Sequence, residues 1–319
     1  MSATKDIRQQ FADTMLDVGQ QDPQLVVVVG DISHFKLQPF AEACPGRFYN
    51  IGILEPTMVT MSAGLARVGF FPVVHTIAPF LIERSFEQLK LDFGYQALPG
   101  NIVTVGSAFD YANLGCTHHC YDDFALVKSI PGAQITFPAS APEFDALFRQ
   151  AYRNEALTIY RIPATPHGYE VAPGEIRFGQ AIRVAEGHDL TLVVTGPQLR
   201  AALEARSILL ERGWMAEVLY IHTVRPLDRE SIRHSVAKTR RVLVIEEHQK
   251  TGGLGMDVLE EVHPLEGLQF HSLHLPDRFV RDYRSYQEHC AAVDLDTAGI
   301  VRAVETHFSP ASALATHAP

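Results

Sequence analysis

The stretch Phe48-Tyr49-Asn50-Ile51-Gly52-Ile53-Leu54-Glu55-Pro56-Thr57-Met58-Val59-Thr60-Met61-Ser62-Ala63-Gly64 decides how this chain is read, because it sets a single carboxylate in an apolar run at the threshold of a helix. Pro56 suits the first helical turn, where its missing N–H has no intrahelical partner to lose. Taking a carboxylate out of water raises its pKa unless a specific partner answers it. Glu55 therefore has two readings. It is a functional acid surrounded by Ile51, Ile53 and Leu54, or a helix-start carboxylate that answers the macrodipole and the free amides beside Pro56.

On both sides of this segment, short β-branched runs ending in Gly, Asp or Pro alternate with longer amphipathic stretches, the pattern of parallel sheets covered by helices. The pattern predicts strands over 25–29, 73–76, 102–105, 134–137 and 158–160, with helices over 5–20, 56–67, 83–95 and 142–153. Three prolines and three glycines between 162 and 179 then interrupt any regular element. A second alternation follows, with strands over 190–194, 216–220 and 242–246 and helices over 198–212, 228–239, 254–263 and 297–308, the last capped by Asp296. The expected fold class is α/β, with two doubly wound parallel-sheet domains. They cover residues 1–165 and 179–308, joined by a linker over 166–178 and followed by a disordered tail over 309–319.

The length agrees, since 319 residues hold two domains of roughly 100–200 each. Hydrophobic residues are 46% and charged ones 20%, and no apolar run reaches the roughly 20 residues that span a bilayer. A net charge of −10 opposes binding to nucleic acid or an anionic membrane, both of which need clustered cations. The amino end MSATKDIRQQF has neither a signal core nor an Arg-rich transit pattern, and cysteines at 44, 116, 120 and 290 make no disulfide framework. The expectation is a soluble cytoplasmic protein.

Candidate sites gather at predicted strand ends, where open parallel sheets collect ligands. Gly30-Asp31, His75-Thr76, Gly106-Ser107 and Arg161 all lie there. Cys116, His118, His119 and Cys120 look like soft metal ligands, but structural zinc sites divide their ligands into two pairs across a long loop, so no metal is predicted there. The glycines at 252, 253 and 255 lack the GxGxxG spacing and read as a turn opening a helix. Neither a P-loop nor a GxSxG elbow occurs.

The run from Phe48 to Gly64 resembles the pyrimidine-binding segment of the transketolase family. The similarity continues, in the family's order, through Phe80-Leu81-Ile82-Glu83-Arg84, Thr117-His118, Tyr160-Arg161, Pro226-Leu227-Asp228 and Thr251-Gly252-Gly253-Leu254-Gly255. It implies a pyrimidine-binding domain followed by a transketolase C-terminal-like domain, and thiamine diphosphate as cofactor. In that resemblance Glu55 is the catalytic acid on the aminopyrimidine, with Ile53, Phe80 or Leu81, and Arg84 around the cofactor. His118 is the second catalytic group, reaching substrate oxygens, and His119 stands where the family has Gln. Arg161 and Arg8 match substrate-phosphate arginines, with an interdomain or surface salt bridge as the alternative for each.

Two departures change the expectation. Leu114 replaces an Asp that reads a donor hydroxyl in most transketolases, and leaving that hydroxyl unpaired costs roughly 1–3 kcal/mol. The family's Gly-Asp-Gly…Asn motif, which holds Mg²⁺ and the diphosphate, has no counterpart, since Gly30-Asp31 is followed by Ile32. The resemblance thus implies a transferase split over two chains and active only with its partner. The partner is an N-terminal, diphosphate-binding subunit that mainly holds Mg²⁺, the expected assembly is α2β2, and the reaction moves a two-carbon ketol unit to a phosphorylated aldehyde. The alternatives are a β-type subunit of a 2-oxoacid dehydrogenase and a non-catalytic interaction subunit.

Overall fold

A computed structural model describes residues 5–308, and the tail predicted to be disordered lies outside the described residues. Leu25–Val29 is the sequence LVVVV, buried at every position, and it forms β1. Its neighbours are β2 (Phe48–Asn50), β3 (Phe71–Ile77), β4 (Gly100–Val105), β5 (Gln134–Thr136) and β6 (Leu157–Ile162). Because side chains alternate along a strand, Val26 and Val28 pack with Met58 and Val59 of the helix Glu55–Arg67. Val27 and Val29 pack on the other side with Phe11 and Met15 of the helix Ile7–Gln21. Both faces are thus covered, and each fully buried valine contributes about 1.5–3 kcal/mol.

The second half contains β7 (Ile182–Ala185), β8 (Leu190–Val194), β9 (Ala216–Tyr220), β10 (Thr223–Arg225), β11 (Arg241–Gln249) and β12 (Gln269–Leu275). Two sheets result, ordered β10-β5-β6-β4-β3-β1-β2 and β12-β11-β8-β9-β7. Every pairing is parallel except β7 with β9 and β10 with β5. The expected α/β class with parallel-dominated sheets is therefore what the chain adopts. Through β10, Thr223 of the second half sits opposite Thr136 of the first, so the first sheet is completed by a strand from beyond the linker.

Register places the site. Val29 pairs with Asn50 on one side and His75 on the other, and Thr76 pairs with Thr104. The segments leaving β2, β1, β3 and β4 consequently emerge side by side at one end of the sheet.

One predicted element is corrected. Residues 83–95 are not a single helix: the chain forms a helix over Ala78–Ile82, a short turn over Phe86–Gln88, and a π-helix over Leu89–Tyr95. Close packing accompanies the widened turns, because a Cβ on Gly94 would lie 2.5 Å from Ile130 and one on Gly100 2.4 Å from Phe93. β2, β7, β10 and β12 and the helices Gln38–Ala43, Asp123–Lys128 and Tyr286–Ala292 were not predicted. β2 and β10 are three residues long, and β7 and β12 are half-exposed edge strands without alternation.

Candidate active site

Asn50, at the end of β2, organises the approach to Glu55: its side-chain oxygen accepts from the Asp31 N–H at 3.1 Å and the Gly52 N–H at 3.2 Å. Gly52 takes φ 76°, a conformation that costs glycine nothing. Glu55 opens the next helix in its first turn, where a carboxylate faces the positive end of the dipole. It is 1% exposed. The apolar jacket expected around it is not there, since Ile53 is 67% and Leu54 55% exposed. What meets the acid is a cation. Arg84 Nη1 lies 2.8 Å from Glu55 Oε2, and no hydrogen bond reaches Oε1 among the described residues.

The segment after β3 supplies the next wall. Leu81 is wholly buried, whereas Phe80 is half-buried and its ring carries the Arg84 guanidinium 4.3 Å from its centre. The edge of the same ring meets His118, with centroids 5.1 Å apart and planes at 74°. His118 comes from the loop after β4, where its Nδ1 shares a 2.9 Å hydrogen bond with the Thr117 hydroxyl and burial lowers its pKa. Glu55, Arg84, Phe80 and His118 therefore form one continuous cluster, with Ile53 exposed on the Glu55 segment.

Arg161 is placed elsewhere, which corrects its expected contact with a substrate phosphate. It is 0% exposed and lies between the two halves of the chain. Its Nε is 2.9 Å from Asp123 Oδ2, its Nη1 3.7 Å from Glu247 Oε1 of β11, and its Nη2 donates to the Cys120 carbonyl at 3.1 Å. The guanidinium also lies 4.9 Å from the centre of the Phe124 ring and 4.5 Å from that of Phe137. Enclosed by two carboxylates and two rings, it has no open side for a ligand.

Arg8 is half-buried and makes no ion pair among the described residues. Its charge acts on His75 and Tyr111, and the Tyr111 ring lies 5.9 Å from that of His118. The structure thus brings Arg8 toward the cluster that Arg161 does not reach.

Beside the cleft, Asp31 and His75 were candidates from sequence, whereas Ser33 and Asp110 were not singled out. Asp31 and Ser33 adopt φ 65° and 61°, left-handed conformations that are uncommon outside glycine. Ser33 Oγ lies 3.0 Å from Nε2 of the fully buried His75, whose Nδ1 donates to the Val103 carbonyl at 2.8 Å. Burial, helped by the Arg8 charge, pushes the His75 imidazole down to about 4, so it is neutral. Asp110 gathers the loop after β4 onto the segment after β6, accepting N–H bonds from Ser107 and Ala164 at 2.8 Å and from Thr165 at 3.3 Å. A positive φ at Ser33 and a carboxylate collecting amides from distant segments have no signature in composition or spacing.

The Cys and His run does not converge on one point. Cys116 is exposed, His118 turns to Phe80, His119 Nδ1 shares a 2.5 Å bond with the Tyr121 hydroxyl, and Cys120 is buried. Glu83, Cys120 and Asp122 do place one possible ligand atom each within 4.8 Å of the others. Burial and the neighbouring carboxylates raise the Cys120 thiol well above its ordinary range, which opposes the thiolate that a soft metal requires.

Comparison with known proteins supplies the family. The transketolase pyrimidine binding domain matches residues 3–164, and the transketolase C-terminal domain matches residues 179–300. An apulose-4-phosphate transketolase subunit of Phocaeicola vulgatus is 34% identical over 256 residues, 79% of this chain and 82% of that one. A 6-deoxy-6-sulfo-D-fructose transketolase subunit, SqwH, of a Clostridium species is 30% identical, with 80% of each chain covered. The 1-deoxy-D-xylulose-5-phosphate synthase 1 of Geobacter sulfurreducens is 31% identical over 95% of this chain, which spans about half, 49%, of that relative. A solved split gene transketolase, described as an inactive β4 tetramer, superposes with a TM-score of 0.84 at 28% identity, covering 96% of this chain and 98% of that one. With its two halves matched in order, the chain belongs to the transketolase family.

Proposed function

We propose that this chain is the pyrimidine-binding and C-terminal subunit of a two-chain, thiamine-diphosphate-dependent transketolase that moves a two-carbon ketol unit onto an aldehyde. The observation that carries the reading is the Glu55 cluster: a buried carboxylate with one unengaged oxygen, set beside Phe80, Arg84 and His118 at the ends of neighbouring strands. These residues suit the cofactor's pyrimidine, with a carboxylate for a ring nitrogen and an aromatic ring for its face. When bound, thiamine diphosphate supplies the nucleophilic carbon and the electron sink for the transferred unit. Glu55 would present Oε1 to a ring nitrogen of the pyrimidine, while Arg84 fixes Oε2 and keeps the carboxylate oriented. His118, neutral because burial lowers its pKa, orients the hydroxyl or carbonyl oxygen of the substrate and relays its proton.

We infer that Mg²⁺ and the diphosphate are held by a separate chain, in an α2β2 assembly. The names of two relatives, transketolase subunits, and the description of a β4 tetramer as inactive support that division. The same two relatives are named for sugars carrying a phosphate or a sulfo group, anionic ends that suit Arg8, which makes no ion pair among the described residues, and so favour an anionic substrate, such as a phosphorylated aldehyde, over a neutral one.

Co-purification with the diphosphate-binding chain tests the proposal. The pair should transfer a ketol unit to an aldehyde, and Glu55→Gln should lower kcat by at least about 100-fold while the assembly elutes unchanged on gel filtration. Full activity of this chain alone rules out the two-chain reading, and a wild-type rate in the variant removes Glu55 from the chemistry.

A further inference from the structure

Gly115 lies at φ 74° in the loop after β4, and its carbonyl accepts the His118 N–H at 2.9 Å. Its neighbours Leu114 and Cys116 are exposed, yet Gly115 itself is buried. The cover comes from the other half of the chain. A Cβ added to Gly115 would lie 2.8 Å from Tyr283 Cε1 and 3.3 Å from the Tyr283 hydroxyl oxygen, so the ring rests directly on the glycine backbone. Tyr283 is nevertheless 75% exposed, which means that one side of a large ring is packed on this loop and the rest faces solvent.

The ring's position is determined by anchors on either side. Before it, Leu275 at the end of β12 is buried and Val280 packs on the core that includes Phe109. After it, Ser285 and Glu288 form a capping box for the helix Tyr286–Ala292. That helix is tied back to the loop after β4. His289 stacks on Phe109 with centroids 4.9 Å apart, and the Tyr286 hydroxyl donates at 2.6 Å to Glu247, whose other oxygen accepts the Ala108 N–H at 3.3 Å. Only a glycine admits such a contact at residue 115, both because of its φ and because of the space the ring occupies.

We propose that Tyr283, contributed by the C-terminal domain, is a specificity-determining residue whose ring narrows the approach over Gly115 to His118 and limits the length of aldehyde that reaches the site. The inference rests on the reading of His118 as a substrate contact. It assigns the C-terminal domain a part in substrate choice through one aromatic side chain, without a role in the chemical step. The restriction is steric, so it depends on the ring and not on its hydroxyl.

The test uses the two-chain complex and a series of unphosphorylated acceptors from glycolaldehyde through glyceraldehyde and erythrose to ribose. Tyr283→Ala should raise kcat/KM for ribose relative to glycolaldehyde by about 10-fold, with kcat for glycolaldehyde unchanged, and Tyr283→Phe should keep the wild-type ratio. An unchanged ratio in the alanine variant overturns the proposal, as does an equal loss on every acceptor, which marks a structural role. Access is also read without turnover, because Cys116 is the one exposed cysteine among the four. Its labelling by a bulky fluorescein maleimide, relative to iodoacetamide, should accelerate severalfold in Tyr283→Ala and stay unchanged in Tyr283→Phe. If wild-type complex transfers no ketol unit to any aldehyde, phosphorylated ones included, the functional reading fails, and the labelling ratio alone then decides whether Tyr283 gates the loop, a flat ratio overturning it.

Discussion

Glu55 and Arg161 are both charged residues withdrawn from water, and the number of partners around each separates a site from a scaffold. Arg161 meets two carboxylates, a carbonyl and two ring faces. Burial pushes the Asp123 and Glu247 carboxyls upward while the Arg161 charge pulls them back. Removing the cation leaves both acids buried without an answering charge, so Arg161→Ala should destabilise the chain by about 3–5 kcal/mol, measured as a lowered urea midpoint. Unchanged stability together with a raised KM for a phosphorylated substrate would return Arg161 to the binding site. Among the described residues Glu55 has one ion-pair partner, Arg84 on Oε2, which leaves Oε1 for the cofactor in the function proposed above.

At the scale of elements, the glycine run at 252–255 acquires a role that its spacing did not announce. Gly253 occupies the N-cap position of the helix Leu254–Val262, and the Glu246 carboxylate accepts the N–H of Leu254 at 2.6 Å and of Gly255 at 2.8 Å. A Cβ on Gly253 would lie 2.5 Å from Glu246 Oε2, so the glycine makes room for a carboxylate that caps the helix from another strand. Lys128, from the first half, donates to the carbonyls of Gly252 and Gly253 at 2.7 and 3.1 Å, which fastens the turn across the two halves. Glu246→Ala should therefore cost about 1–2 kcal/mol, seen as faster amide exchange at Leu254 and Gly255. Wild-type protection at those two amides would show that another group caps the helix. The same exchange of partners across segments explains the broken 83–95 helix, where apolar spacing suited a regular helix and packing against Ile130 selected wider turns.

At the scale of the whole molecule, buried imidazoles make stability depend on acidity. Burial holds His75 and His119 at about 4 and His248 at about 3, all below the ordinary 6.5. Between 6.5 and 4 the unfolded chain binds protons that the folded chain refuses. Stability is therefore whole above pH 6.5 and is lost as pH falls, by about 1.4 kcal/mol per imidazole for each pH unit that separates its folded and unfolded values. Glu246, raised to about 7 by burial, works in the opposite direction, its contribution being present below 4.5 and lost as pH rises through 7. Glu83, raised to about 7 by burial and the Asp122 charge, acts with Glu246, so two carboxyls oppose three imidazoles and the urea midpoint should still fall from pH 6.5 to pH 4. A flat or rising midpoint over that range would show that these histidines accept protons in the folded chain.

What was legible in the residues alone came from local and repetitive signals. The Val-rich run at 25–29 and the amphipathic stretches around it carried the α/β class, because burial on both faces writes itself into consecutive residues. Asp296 was legible as a helix cap, since the capping oxygen and the amide it accepts from, at Gly299, are three residues apart. The stretch around Glu55 showed where its helix begins, since Pro56 marks the first helical turn. Tertiary structure alone decided that Glu55 faces Arg84 and not an apolar jacket, that Arg161 spans the two halves, that β10 completes the first sheet, and that Tyr283 covers Gly115. The reason is physical: propensity and periodicity act between residues a few positions apart, whereas these contacts join segments tens to more than a hundred positions apart, and only the packed register of two sheets chooses between the partners available to each.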